Sequence, residues 1–218
     1  MFDWLDRWRR GGTLANFNEG ISREQLIRSA RLVVIDDEEP LLISELRSEG
    51  FAVEHDREGK DLKHIDAQLY DVAVVDYHGI GQRLGPAQGL DLLRHIKRVS
   101  PRTRVIAHTS RSLRAGESEF FTLSHAVLPK DIGLGESLAL VEQEVQKAFS
   151  KEHLFEALLQ KLNVADSAEK KRAQEALLKA LRKGNPSRFK EFVVKLGGVA
   201  GEKAVEVIVD HLFLGTTT

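Results

Sequence analysis

The stretch LVVIDDEEP, residues 32–40, runs from four aliphatic side chains straight into four consecutive carboxylates, Asp36, Asp37, Glu38 and Glu39. RLVVID reads as a short buried strand, because a run this apolar with no alternation suits a strand covered on both faces. The block of like charge at its end calls for a reason. Two carboxylates about 4 Å apart repel by roughly 4 kcal/mol at an effective dielectric of about 20. A cluster of them is tolerable where a cation sits among them.

Outward from this stretch the chain alternates. PLLISELRSEG has helical spacing at Leu41, Leu42 and Leu46 and stops at Gly50. FAVEH is a second strand, KDLKHIDAQ a weak helix and DVAVVD a third apolar run. GLDLLRHIKRVSP reads as a helix ending before Pro101, TRVIAHTS as a fourth strand, RAGESEFFTLSH as a helix and AVLPK as a fifth strand. Five short apolar runs alternating with helices indicate βαβ units, and so a five-stranded, doubly wound parallel sheet of the α/β class.

Ligands of open α/β sheets bind at the carboxyl ends of the strands. There the first strand brings Asp36 and Asp37, the third Asp76, the fourth Thr109 and Ser110, and the fifth Lys130. The predicted constellation is three carboxylates, a hydroxyl and an ammonium. Oxygen-only donors suit Mg²⁺. A metal beside a carboxylate also suits nucleophilic attack on phosphorus, with Lys130 and Thr109 of the right type for phosphoryl oxygens.

These motifs, VVIDDEEP, DVAVVDYHGIG, IAHTS and AVLPK, resemble in order and spacing the response-regulator receiver domain, the CheY-like phospho-acceptor module of two-component signalling. The resemblance covers residues 31–149 and implies a flavodoxin/CheY-like fold. It implies that Asp76 is phosphorylated by a histidine kinase or phosphotransfer protein. Asp37 then matches the direct Mg²⁺ carboxylate, Asp36 its partner, and His78 the position whose backbone carbonyl binds metal. Thr109 and Lys130 match the residues that bond the phosphoryl group. The only chemistry implied is the gain and loss of that group, so the chain is expected to be a switch and not an enzyme in the wider sense.

The sequence departs from the family pattern in several places. Ile80 stands where a proline is usual, and GIGQRLGPAQ lengthens the loop after Asp76. Asp131 follows Lys130 where proline is usual, and Pro129 precedes it. Val127 takes the place of an aromatic switch residue, and Arg111 and His78 occupy positions that resemble the family's tuners of dephosphorylation. Other readings stay open: a receiver-like scaffold that carries no phosphate, or a Mg²⁺-dependent phosphohydrolase using Asp76 with His78 as its acid. As metal ligands by side chain, His78 and His108 read as ordinary histidines, with no ligand partner at i+4.

The remainder bounds the setting. The 218 residues are 42% hydrophobic and 30% charged and contain no cysteine, which removes disulfides, thiolate metal sites and thiol nucleophiles. No apolar run is long enough for a membrane span, and residues 1–12 lack the order of a signal peptide, so a cytoplasmic protein is expected. Residues 1–30 read as an N-terminal arm and linker. Phe2, Trp4, Leu5 and Trp8 pack on the domain or a partner, GGTLANFNEG links, and SREQLIRSA carries a capping-box spacing from Ser22 to Gln25.

Residues 150–218 read as a small all-helical region. SAEKKRAQEALLKALRKGN, PSRFKEFVVKLGG and EKAVEVIVDHLF are its helices, with capping at Ser167. Residues 136–162 form either one long helix, able to carry a homodimeric coiled coil, or two helices broken near Ser150. From 169 to 195 there are 9 bases against 3 acids, read as a solvated face, so nucleic acid is not favoured. An output protein of unknown identity is the expected partner of this region.

Overall fold

The computed structural model describes residues 13–18, 20–60, 62–110, 118–197 and 203–216. The chain divides into two compact units: one spans Arg23–Ala148, and the other joins the described residues up to Ser22 to those from Phe149 onward.

The first unit begins with α1 (Arg23–Ser29) and continues through β1 (Arg31–Ile35), α2 (Leu41–Ser48), β2 (Ala52–Asp56), α3 (Leu62–Asp66) and β3 (Val72–Asp76). Then come α4 (Gly89–Val99), β4 (Arg104–Thr109), α5 (Ser118–Leu123), β5 (Ala126–Pro129) and α6 (Leu134–Ala148). All four strand pairings are parallel, in the order β2-β1-β3-β4-β5. This is the flavodoxin-like doubly wound arrangement expected from the alternation.

Burial follows the sequence closely. The central strand β3 is buried along its whole length, whereas the edge strand β2 has no buried residue. Val33, Ile35, Ala73, Val75, Val105 and Ala107 share one face with Ile65 of α3, Leu92, Leu93 and Ile96 of α4, and Phe120 of α5. Residues one position out of phase, such as Val34, Val74 and Ile106, are fully buried on the opposite face, against which α6 packs beside α2.

The amino-terminal edge of the sheet holds a buried ion pair. Asp71 and Arg102 have side chains 3% and 2% exposed and bond directly to each other. The second Asp71 oxygen accepts from the Arg31 amide at 2.8 Å, and Arg102 donates to the Gln68 carbonyl through Nε at 3.0 Å and Nη2 at 2.6 Å. Every charge there has a partner on the spot.

The second unit contains a 3₁₀ turn (Leu14–Phe17), α7 (Lys151–Lys161), α8 (Ser167–Arg182), α9 (Pro186–Lys195) and α10 (Lys203–Leu212). Leu14, Phe155, Leu158, Leu177, Phe189 and Ile208 lie in its core. Residues 13–18 are therefore not a linker: Leu14 is buried, and Asn18 donates to Glu152 at 2.7 Å and accepts from the Lys151 amide at 2.8 Å.

The long-helix alternative is not formed. α6 ends at Ala148, and Ser150 caps α7 by accepting from the His153 amide at 3.3 Å. The N-cap of α8 is Asp166 and not Ser167: the Asp166 carboxylate accepts from the amides of Ala168 and Glu169, both at 2.9 Å. Lys151 is fully buried, and its ammonium donates to the Leu214 carbonyl at 2.8 Å, just past α10. Burial pushes its pKa down to about 8. No helix among the described residues is long and apolar enough to cross a membrane. The expected packing of Phe2, Trp4, Leu5 and Trp8, and the role of Arg111, fall outside the described residues.

Candidate functional site

The parallel register puts the ends of β1, β3, β4 and β5 at one edge. Ile35 lies opposite Val75, Asp76 opposite His108, and Thr109 opposite Pro129. Residues that follow β1 and β5 by one or two places therefore meet Asp76. Asp36, Asp37 and Asp76 each offer a carboxylate oxygen, all within 4.8 Å of one another. Asp36 is fully buried, Asp76 is 7% exposed and Asp37 is exposed.

Lys130 closes the group from β5. Its ammonium lies 2.8 Å from Asp76 Oδ2 and 3.0 Å from Asp36 Oδ2, so one cation bridges two carboxylates. Its amide donates to the Thr109 carbonyl at 2.7 Å, which continues the β4–β5 ladder past Pro129 and sets the lysine's direction. Burial alone would lower the Lys130 pKa, but hydrogen bonds and attraction from Asp76 and Asp36 raise it. Burial alone would raise the Asp36 pKa; hydrogen bonds from His108 and Lys130, the Lys130 charge and the Glu38 amide hold it below the ordinary carboxylate range. Both groups are therefore charged near neutrality.

The loop after Asp76, residues 77–88, is tied back on itself. The Asp76 Oδ1 accepts from the Tyr77 amide at 2.6 Å, and the Gly79 amide donates to the Gln88 side chain at 3.0 Å. Gly79 has φ +75°, and a Cβ there would collide with the Asp37 carboxylate. A Cβ on Gly89 would run into the Asp76 carbonyl and the Tyr77 backbone, so the start of α4 lies hard against the loop after Asp76. Ile80, where the resembled family usually has proline, is fully buried. The longer loop is thus anchored beside the site by the buried Ile80.

Thr109 is at the edge as expected, 7% exposed, but its hydroxyl donates to the Ser110 carbonyl at 2.9 Å. His78 is exposed on the loop, its ring 4.8 Å from that of Tyr77, and it contributes no side chain to the carboxylate cluster. Val127 is 38% exposed on β5. Sequence reading missed His108, 5% exposed, whose Nδ1 lies 2.9 Å from Asp36 Oδ2. The signal was its place two residues after Ile106, on the same face of β4 and directly before Thr109.

Among the described residues three carboxylates face one ammonium, the donors offered to a metal are oxygens, and Asp37 stands open to water. This fits a hard divalent cation such as Mg²⁺, which binds one or two carboxylates and keeps several waters. With strand order 2-1-3-4-5 and acids at the ends of β1 and β3, the architecture is settled. The first unit has a CheY-like receiver fold.

Solved receiver domains are similar to it. A CheY-like response-regulator receiver protein from Methanospirillum hungatei is 17% identical with TM-score 0.46, covering 55% of this chain and 95% of that one. The response regulator TrrA from Thermotoga maritima, solved with Mg²⁺ and beryllofluoride, is 22% identical with TM-score 0.45, covering 53% and 98%. The beryllofluoride-activated receiver dimer of NtrC4 is 22% identical with TM-score 0.47, covering 54% and 98%. No protein-family model matches the sequence, and no curated protein does either.

Proposed function

We propose that this receiver-fold unit is a phospho-acceptor switch in which Asp76 takes a phosphoryl group from the phosphohistidine of a kinase or phosphotransfer protein. The observation that carries this reading is the Lys130 ammonium, 2.8 Å from Asp76 Oδ2, beside three carboxylates within 4.8 Å of one another. In the transfer, an Asp76 oxygen forms a bond to phosphorus while the P–N bond of the donor breaks. The imidazole leaves with the electron pair of that bond.

Asp37, Asp76 and the His78 carbonyl would hold Mg²⁺, with Asp36 acting through water. The metal supplies positive charge beside the oxygens of the transferring group. Lys130 already lies on Asp76 and is placed to pair with the new phosphoryl oxygens. The Thr109 hydroxyl, now bonded to the Ser110 carbonyl, would turn to donate to one of them. Moving these two side chains reshapes the β4–α5–β5 face. The second unit, or a copy of the chain, would read that change through protein contacts, in the cytoplasm.

The test is incubation of the protein with Mg²⁺ and acetyl phosphate, read by intact mass. The expected result is one phosphoryl adduct that needs Mg²⁺ and is lost in Asp76→Asn. An adduct that persists in Asp76→Asn overturns the reading. Turnover of a generic phosphate ester would move the assignment to a phosphohydrolase.

A further inference from the structure

His108 follows Ile106 on the same face of β4 and points away from the layer of Val105 and Ala107. It reaches Asp36, 72 residues earlier in the chain, through a buried contact of 2.9 Å from Nδ1 to Oδ2. That oxygen also takes Lys130 at 3.0 Å, while Oδ1 takes the Glu38 amide at 3.1 Å. An ionised carboxylate only accepts hydrogen bonds, so with Asp36 ionised this contact is a hydrogen bond in the tautomer that carries the proton on Nδ1. His108 also lines a cavity of about 330 Å³, together with Glu38, Leu42, Lys130 and Ser137.

Lys130 divides its ammonium between Asp36 and Asp76. In the phosphorylated state it is drawn to the phosphoryl oxygens, and Asp36, with no exposed surface, then loses its nearest cation. A buried carboxylate that loses a charged partner is costly to hold and freer to turn. The Glu38 amide still holds Oδ1, and on Oδ2 His108 remains. We infer that His108 is a positioning residue for the metal site: its Nδ1–H fixes the Asp36 carboxylate toward Asp37 and Asp76 while Lys130 changes partners.

This inference rests on the phospho-acceptor reading and deepens it. Metal ligands throughout proteins depend on such outer partners, whose loss weakens metal binding about 10- to 100-fold. A merely space-filling histidine would not show this dependence on a donor.

The experiment is calorimetric titration of the full chain with Mg²⁺, comparing the unaltered protein with His108→Leu and His108→Asn. Asparagine can place its Nδ2 donor near where the ring's Nδ1 stands; leucine keeps the bulk and removes the donor. The expected result is an affinity about 10-fold or more weaker for His108→Leu, with His108→Asn within about threefold of the original. Equal affinity for all three overturns the inference and leaves the phospho-acceptor reading intact. An Asn variant as weak as the Leu variant also overturns it, because packing and not the donor would then matter. Absence of Mg²⁺ binding by the unaltered protein overturns both.

A second measurement needs no variant. The ¹⁵N imidazole spectrum of His108 should show the proton on Nδ1, retained when Mg²⁺ and beryllofluoride are added. A proton on Nε2 alone overturns the inference even if His108→Leu does not fold.

Discussion

The two edges of the sheet carry acids in opposite ways. At the amino-terminal edge, Asp71 is answered by Arg102 and by the Arg31 amide, and Arg102 is completed by the Gln68 carbonyl. That edge balances within itself. At the carboxyl-terminal edge, among the described residues, three carboxylates share one ammonium, and that ammonium is bonded to two of them at once. The difference separates an acid that holds the fold from acids that wait for charge. Burial does not distinguish them, since Asp71 and Asp36 are both inaccessible; the count of opposing charges does.

The largest effect should come from breaking the balanced edge. Arg102→Met leaves Asp71 buried without its cation and is expected to cost about 3–5 kcal/mol, read as a lower urea midpoint. Mg²⁺ affinity measured on the fraction still folded should not change. A loss below about 1 kcal/mol would mean that the two edges are not so different.

A buried cation with no bonded carboxylate extends the comparison. Lys151 donates to carbonyls, and its folded pKa of about 8 lies below the ordinary 10.5. The folded state therefore binds fewer protons than the unfolded state between those values, and stability rises with pH across that window. The span corresponds to about 3 kcal/mol. Urea midpoints at pH 7 and pH 10 should diverge for the unaltered protein and converge in Lys151→Met.

At the unbalanced edge, adding the missing charge should stabilise. Mg²⁺ at about 100 times its Kd is expected to add about 2.7 kcal/mol, seen as a higher melting temperature. Asp37→Asn should abolish that increment while leaving the metal-free protein no less stable, since one of three like charges is gone. Gly89→Ala tests the contact between α4 and the loop after Asp76. Its Cβ would meet backbone that has no room to move, so a loss of about 1–3 kcal/mol in thermal or urea unfolding and a lower yield of the Asp76 adduct are expected.

The smallest effect concerns acid. Asp36 has a folded pKa below its ordinary value, so its contribution is present above about 3.8 and lost as pH falls through the lowered value. In the absence of metal, Lys130→Met should weaken that acid dependence, because Asp36 then keeps only His108 and the Glu38 amide.

Much of this was legible in the sequence, for a physical reason. Strands buried on both faces must be apolar throughout, so LVVI, VAVV and VIA announce the centre of a parallel sheet, and the residues just after them mark its carboxyl-terminal edge. Asp36, Asp37, Asp76 and Lys130 were placed together in that way, and the structure brings them together there. What lay beyond reach depends on partners distant in the chain. The bond from His108 to Asp36 and the pair of Asp71 with Arg102 join residues 72 and 31 positions apart, and each looks ordinary alone. Between 136 and 162 the sequence left one long helix and a break near Ser150 equally open, and the Ser150 cap on α7 decides for the break.

The 3₁₀ turn at 14–17 has a consequence for how the chain is threaded. Because Leu14 and Asn18 belong to the same unit as α7 and α10, the chain leaves the helical unit at Ser22, builds the whole receiver unit, and returns at Phe149. The receiver-fold unit is an insertion and not the first bead on a string. It is joined to its neighbour by two covalent crossings instead of one. A protease that nicks either crossing leaves the two units tied through the other, and only a double cut sets the receiver-fold unit free.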